Sequence, residues 1–383
     1  MLTLTDFLGR VLPAVFILGT LYFLVLSASN VLWLRLSSRP PRAHRGRMVS
    51  VLVPARDEES NIGPCIESLL DQTYSDYEIV VLDDQSRDST WQILQEYAAR
   101  FPARVRAIPG RPLPESGWCG KAHAMQQLAE AARGEYLFFT DADTVHGRES
   151  ISWAVTNLEA HRADCLSGYV DQQLATLGEL FIVPAIYIMS AMVLPLWLIG
   201  ATRVPGLSFA IGQLIVFRRT AFDAVGGYAS VKDQISDDMA IAREMKRAGF
   251  RLVFLDMRRH VACRMYSGYR ASFLGIAKNI YDFAKRRTLF LAFAVTLLVG
   301  LVVLPFALLP FQLITGNPGI SFASLCVGLF LGAWMLALYD RGLPWWSPLL
   351  YPVMFLHLLY MAWWSVARAS SGRAVFWKGR ALR

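Results

Sequence analysis

The stretch that most constrains this chain is residues 136–144, which read Tyr-Leu-Phe-Phe-Thr-Asp-Ala-Asp-Thr. Four apolar or aromatic residues in succession predict a buried strand. The run stops on two carboxylates, Asp141 and Asp143, with one small residue between them. Residues i and i+2 of an extended chain share a face, so both acids can point into one site. Two hard oxygen ligands at the end of a strand suit Mg²⁺ or Mn²⁺ that also holds a diphosphate. Taken alone, the same letters fit a solvated Asp-x-Asp turn, and the choice between the two depends on the rest of the chain.

Apolar residues make up 54% of the chain and charged residues only 18%, a balance that directs attention to membrane spans. Residues 11–34 form a long apolar run, and a bilayer crossing takes about 20 residues. Arg35, Arg39, Arg42, Arg45 and Arg47 follow it. A cleaved signal peptide carries its basic cluster ahead of a shorter apolar core, so this run predicts a retained anchor whose C-terminal end faces the cytoplasm. Residues 289–314, 320–338 and 345–366 are three further candidates, and Lys285, Arg286 and Arg287 precede the first. Three crossings would leave the C-terminus outside, whereas Arg368, Arg373, Lys378, Arg380 and Arg383 favour the inside. Pro305, Pro310 and Pro352 allow one segment to be broken or re-entrant. Two or three C-terminal spans both fit these letters. The formal charge of +8 sits largely in these flanking clusters, which predicts anionic lipid rather than nucleic acid as the partner. Five scattered cysteines make neither a disulfide framework nor a metal knuckle and fit a reducing compartment.

The expected division is an anchor and basic linker at 1–47, an α/β domain at 48–284 and a helical tail with a basic end at 285–383. Within the domain, residues 49–54 predict a strand. A helix follows, with Ile62, Ile66, Leu69 and Leu70 on one face. Residues 78–82 predict a second strand that stops on Asp83-Asp84, and the next helix turns Trp91, Leu94 and Ala98 inward. Residues 105–108 predict a third strand. Strands alternating with helices imply a doubly wound, mostly parallel sheet, whose ligands sit beyond the strands' C-terminal ends. Asp57, Asp83, Asp84, Asp141 and Asp143 would then share one edge.

These motifs resemble the family 2 glycosyltransferases of the GT-A fold, over about residues 49–283. "VSVLVPARDEESNIGPCIESLLDQTYSDYEIVVLDDQSRDST" looks like that family's nucleotide-binding opening, "GKAHAM" at 120–125 like its Gly-Lys-x-x-Ala segment, "TDADT" like its metal-binding Asp-x-Asp, and "GGYASVKDQISDDMAIAREMKRAGF" like the segment with the acidic pair that supplies the base. The resemblance implies a divalent cation, Mg²⁺ or Mn²⁺, and a UDP-sugar donor. It assigns Asp57, Asp83 and Asp84 to the nucleoside, Asp143 to the metal, Asp141 to ribose or metal, and Asp238 of the pair Asp237-Asp238 to the general base. Other readings of the same residues stay in view. Asp57 fits a helix N-terminal acid, one of Asp83 and Asp84 fits a turn cap, and Asp237-Asp238 fits plain N-terminal capping. Lys121 opens a helix, where a cation opposes the dipole unless an anion is near; a diphosphate contact and a solvated lysine are its two readings. Gln213 fits either a sugar or acceptor contact or a core hydrogen bond.

Many membrane-bound members carry a Gln/Arg-x-x-Arg-Trp motif after the base. Here that region reads Cys263-Arg-Met-Tyr-Ser-Gly-Tyr-Arg270 without an Arg-Trp pair, a departure that argues against a processive polysaccharide synthase. Arg264, Tyr266 and Arg270 are candidates to face the diphosphate or the acceptor, with an interfacial arginine role as the alternative. The apolar segment near 177–198 cannot cross once, because Asp143 and Asp238 would then be on opposite sides. An interfacial helix or hairpin is expected, with a buried helix of the domain as the alternative. The layout of span, transferase and helical tail looks like ceramide glucosyltransferases and bacterial transferases acting on hopanoids and carotenoids. It implies an integral membrane enzyme, its catalytic domain facing the cytoplasm, that glycosylates a membrane lipid at the bilayer. The rivals are a polysaccharide synthase, a polyprenyl-phosphate sugar transferase, and a nucleotide-binding scaffold or transporter without turnover.

Overall fold

The structure is a computed structural model and describes residues 11–42, 47–115, 117–283, 287–315, 320–338, 341, 343–371, 375–377 and 380–382. Arg45, Lys285, Arg286, Arg373, Lys378 and Arg383 lie outside the described residues. The chain divides into two compact units: an α/β unit of residues 34–173, 197–265 and 374–383, and a helical unit of residues 1–33, 174–196 and 266–373.

The α/β unit holds ten strands ahead of its terminal hairpin: β1 Val49–Ala55, β2 Tyr77–Asp83, β3 Val105–Pro109, β4 Tyr136–Thr140, β5 Thr144–His146, β6 Cys165–Tyr169, β7 Asp171–Gln172, β8 Leu214–Arg218, β9 Leu252–Asp256 and β10 Val261–Cys263. Seven of them form one sheet in the order β3-β2-β1-β4-β8-β6-β9. β1 pairs in parallel with β2 and β4, and β2 with β3. β8 alone runs antiparallel, between β4 and β6. β2 and β4 are buried along their whole length, which is why they read as continuous Val, Leu, Ile and Phe rather than as alternation. Close approach of the chain entering β4 requires a glycine: a Cβ on Gly134 would stand 2.5 Å from the Ser50 backbone nitrogen. The helix Ile62–Leu70 buries Ile62, Cys65, Ile66 and Leu69 and leaves Leu70 half-buried. In Thr90–Arg100 the inward face is Thr90, Leu94 and Tyr97. Trp91 and Ala98 are half-buried, because Tyr97 turns in and donates to Glu67 at 2.7 Å. The neighbouring parallel strands β2, β1 and β4 end on one edge, and the acids that follow them line it. A second sheet, β5-β10-β7, continues from that edge.

In the helical unit, Leu12–Ser37, Thr288–Thr315 and Ser347–Ser370 are long and apolar enough to cross a membrane, with mean hydropathies of 2.0, 2.7 and 1.4; they fit membrane association. Pro305 and Pro310 are carried inside one continuous helix. The expected span at 320–338 is the helix Ile320–Ala337, 18 residues long and the shortest of the four apolar candidates. The segment near 177–198 is not a single helix, and most of it lies outside the α/β unit. It is broken into Leu177–Ile182, Ala185–Met189 and Leu196–Ala201 by Pro184 and Pro195, and residues 174–196 join the helical unit with Leu180, Ile182, Val183 and Met192 buried.

One side chain explains how this break is tolerated. Pro195 has no N–H to give the Ala191 carbonyl. Asn30, within Leu12–Ser37 and 1% exposed, donates through Nδ2 to the carbonyls of Ala191 (2.7 Å) and Leu194 (2.8 Å). Its Oδ1 accepts from the Leu196 N–H at 2.8 Å. Glu179, fully buried, acts similarly: it completes a capping box with Thr176 and accepts from the Gly268 N–H at 2.7 Å. Replacing Asn30 by Leu would orphan three backbone groups at about 1–3 kcal/mol each. The Asn30→Leu protein in lipid nanodiscs is expected to melt several degrees below wild type, despite its more apolar helix. An unchanged melting temperature would show that those groups have other partners.

Candidate active site

The loops after β1 and β2 are fastened to each other before any ligand arrives. The buried Arg56 guanidinium donates to the carbonyls of Asp84 and Gln85. The Asp57 N–H donates to Ser86 Oγ at 2.9 Å, and the Arg87 N–H returns a bond to Asp57 Oδ1 at 2.7 Å. Asp57 and Gln85 stand at φ of +50° and +58°, the left-handed region that non-glycine residues enter rarely. Two such residues facing each other mark a cradle held in shape by its cross-bonds. Asp83 and Asp84 are both buried. Asp83 Oδ2 accepts weakly from the Ser86 N–H at 3.3 Å, and its Oδ1 is buried without a partner among the described residues.

The Asp-x-Asp segment lies beyond the strand rather than on it. β4 ends at Thr140, and Asp141–Asp143 form a turn into β5, so the acids converge through the turn and not through strand alternation. Thr144 Oγ1 donates to the Asp141 carbonyl at 2.7 Å. The Thr140 and Thr144 hydroxyls meet His146 Nε2 at 3.1 and 3.0 Å, and burial holds that imidazole neutral, its pKa lowered to about 3. The two carboxylates then take different partners. Asp141 Oδ1 binds Lys121 Nζ at 2.6 Å, each side chain 25% exposed. Asp143 accepts a hydrogen bond from the Cys263 thiol, while burial, then Asp141 and Glu58, push its pKa up to about 7.

Lys121 reaches from the first turn of Gly120–Ala131 into the acidic centre. Burial alone would depress its ammonium, but Asp141, Asp237 and Asp238 outweigh burial and hold it charged well above the ordinary lysine value. Asp237 and Asp238 open the helix Asp237–Arg247. Asp238 Oδ2 accepts from the Gly212 N–H at 2.9 Å and Oδ1 from the Met239 N–H at 2.7 Å, and burial raises its pKa against the pull of Lys121. Asp237 is raised to about 6, by burial first, against Lys121 and with Asp238 and Asp141 adding to the rise.

The structure therefore brings Asp141, Asp143, Lys121, Asp237 and Asp238 together, with Asp57, Asp83 and Asp84 on the adjoining loops of the same sheet edge. Gln213 is buried with both ends of its amide engaged, by Cys263 and Gln172. Arg264 is exposed just past β10. Tyr266 and Arg270 belong to the helical unit, where the Tyr266 ring lies against Gly275 so closely that a Cβ there would come within 2.2 Å of it. Cys263, Gln172 and Arg56 are site-forming residues to which the sequence assigned no role; Gly212, beside the candidate Gln213, joins them through its N–H.

Among the described residues no group of three or more His, Cys, Asp or Glu side chains is arranged to hold a metal. A hard cation that takes one or two carboxylates and completes its shell with diphosphate oxygens and water does not need one. Asp143 Oδ1 is buried with no partner among the described residues, which fits that role. Asp141 is the weaker candidate, since Lys121 already holds its Oδ1.

Residues 50–226 match the family described as Glycosyl transferase family 2. The putative glycosyltransferase EpsE of Bacillus subtilis is 27% identical over 187 residues, 49% of this chain and 62% of EpsE. The 4,4'-diaponeurosporenoate glycosyltransferase of Staphylococcus haemolyticus is 24% identical over 61% of this chain and 60% of its own. The beta-monoglucosyldiacylglycerol synthase of Trichormus variabilis is 27% identical over 59% of this chain and 47% of its own. The matches thus span less than two thirds of these relatives. Mannosyltransferase PcManGT of Pyrobaculum calidifontis, solved with GDP-Man and Mn²⁺, is similar at a TM-score of 0.55 and 20% identity, over 93% of this chain and 99% of that one. At that identity the likeness is one of fold: GT-A-like α/β with a mostly parallel sheet, as the resemblance implied.

Removing the ammonium from this cluster has a pH signature. In Lys121→Met, Asp237 and Asp238 lose their counter-charge. Carboxylates whose folded pKa lies above the unfolded 3.8 stabilise the fold only when protonated, and that contribution is lost as pH rises through the folded value. The variant is expected to lose about 2 kcal/mol at pH 8, below the 3–5 kcal/mol of a fully buried pair because both partners are partly exposed. The gap should close toward pH 5, with melting followed in EDTA. A gap of constant size would assign the loss to packing.

Proposed function

The chain carries a glycosyl transferase family 2 domain, and from that premise we propose that it moves a sugar from a UDP-sugar to a hydroxyl or carboxyl group of a membrane lipid, with inversion at the anomeric carbon. The observation that carries this reading is the meeting of Asp141, Asp143 and Lys121 with Asp237 and Asp238. A site that only held a nucleotide would have no use for the second acidic pair.

The acceptor oxygen attacks the anomeric carbon while the bond from that carbon to the diphosphate oxygen breaks. Asp238 takes the acceptor's proton. Its raised pKa makes it a stronger base than an ordinary carboxylate, and the Gly212 and Met239 N–H groups fix its orientation while leaving lone pairs on both oxygens. Attack opposite the leaving group inverts the centre. Lys121 stands where charge grows on the diphosphate and exchanges part of its pairing with Asp141 for the leaving group. A divalent cation, Mg²⁺ or Mn²⁺, would be held by Asp143, with Asp141 beside it, and would supply charge neutralisation for the diphosphate. Asp57, Asp83 and Asp84 lie where the nucleoside half of the donor would rest.

Two observations support a lipid acceptor. Among the described residues three helices are fit to cross a bilayer, and two of the chain's relatives are named for 4,4'-diaponeurosporenoate and monoglucosyldiacylglycerol. The topology follows. With Leu12–Ser37, Thr288–Thr315 and Ser347–Ser370 as the crossings and Ile320–Ala337 as a shorter inserted helix, the α/β unit and the C-terminus share the cytoplasmic side. The hairpin of β11 Val375–Trp377 and β12 Arg380–Leu382 belongs to the α/β unit, which favours that arrangement. A single cysteine placed after residue 383 is expected to resist impermeant thiol reagents added from the periplasmic side of intact bacterial cells. Labelling from that side would require a different number of crossings.

The central test is transfer. Protein in nanodiscs with Mg²⁺ or Mn²⁺ and a native lipid extract is supplied with UDP-sugars and, in a separate arm, GDP-mannose, with nucleotide release and lipid mass followed. One sugar-shifted lipid from a UDP-sugar is expected, absent in Asp238→Asn and Asp143→Asn. Activity that survives in Asp238→Asn would remove the base assignment alone. A ladder of products would favour a polymerising enzyme, turnover only with GDP-mannose would change the donor, and nucleotide binding without release would favour a non-catalytic role.

A further inference from the structure

The buried thiol of Cys263 is a group in the acidic centre that the transfer chemistry leaves unused. It is 2% exposed and lies between two polar partners. Gln213 Nε2 donates to its sulfur at 2.8 Å, and Asp143 is hydrogen-bonded to it from the other side. A thiol has one weak donor and a weak acceptor. Gln213 occupies the acceptor, so the S–H is left to be given to Asp143. The direction of the Gln213 amide is itself fixed, because its Oε1 accepts from Gln172 Nε2 at 2.6 Å. The backbone of the same glutamine holds the turn that carries the acids: its carbonyl takes the Thr140 hydroxyl at 3.0 Å and the Asp141 N–H at 3.3 Å.

The small sheet supplies the spacing. β10 pairs antiparallel with β5 and in parallel with β7, in a register that aligns Thr144 with Cys263 and Cys263 with Gln172. Thr144 directly follows Asp143. Three short strands thus bring Gln172, Cys263 and the turn that carries Asp143 together, and Gln213, just ahead of β8, bridges Gln172 to Cys263.

We propose that Cys263 is a positioning residue for the cation site: oriented by Gln213 and Gln172, it donates to Asp143 and so keeps Asp143 Oδ1 turned toward the divalent cation. The proposal rests on the reading of Asp143 as the cation's ligand. Groups that orient a metal-binding side chain typically change metal affinity by about 10–100-fold when removed.

The test reads metal rather than turnover. Full-length protein in nanodiscs is titrated with Mn²⁺ in the presence of UDP or, separately, GDP, and free Mn²⁺ is followed by electron paramagnetic resonance. Cys263→Ala and Gln213→Met are expected to weaken Mn²⁺ binding roughly 10–100-fold, whereas Cys263→Ser, whose hydroxyl still donates, stays close to wild type. Asp143→Asn should abolish binding. Melting curves of each variant identify any that fail to fold, and the serine and glutamine variants carry the test if the alanine variant does. Wild-type affinity in Cys263→Ala overturns the proposal, as does equal weakening in the serine and alanine variants. Unchanged binding in Asp143→Asn overturns the cation assignment and this proposal with it, while the transfer assay decides the sugar-transfer reading separately.

Discussion

The site depends on one ammonium among carboxylates. Asp141, Asp237 and Asp238 lie in a partly dehydrated space, where like charges repel one another, and Lys121 is the cation that lets them share it. The rest of the local architecture serves to bring that lysine in. The helix that starts at Gly120 aims its first turn at the sheet edge, and its dipole, which disfavours a lysine there, is overcome by the acids. In a centre balanced in this way, a diphosphate and a divalent metal would replace the pairing rather than add uncompensated charge.

The sheet order explains why the acids meet at all. With β2, β1 and β4 adjacent and parallel, three successive strand ends deliver their loops to one edge, and antiparallel β8 returns the chain so that Gly212 can reach Asp238. The small sheet adds the parts that no single loop could supply, joining residues near 144, 172 and 263.

Much of this was legible in the letters. Apolar runs that end on acids gave β1, β2 and β4 and the loops beyond them, and the spacing of Gly120-Lys121 and Asp237-Asp238 gave the two helix starts. Asp141 and Asp143 converge through a turn and not through strand alternation, since the strand ends at Thr140. What stayed hidden has one physical cause. Cys263, Gln172 and Gly212 matter only through partners far away in sequence, and a lone cysteine or glutamine carries no periodicity. The segment after residue 176 misled for a related reason: its apolar letters describe a preference for burial, while the prolines and their replacement hydrogen bonds decide the shape.

Asn30 has a consequence for how the protein is made. The chain grows from its N-terminus, so the helix that holds Asn30 is made before the carbonyls it will serve, 161 and 164 residues further on. For that interval the amide lacks these partners, at a cost borne by an otherwise apolar helix. The first helix is therefore a provisional element, completed only when the broken segment arrives. Assembly of the helical unit has a built-in order, in which the early span waits for the later one.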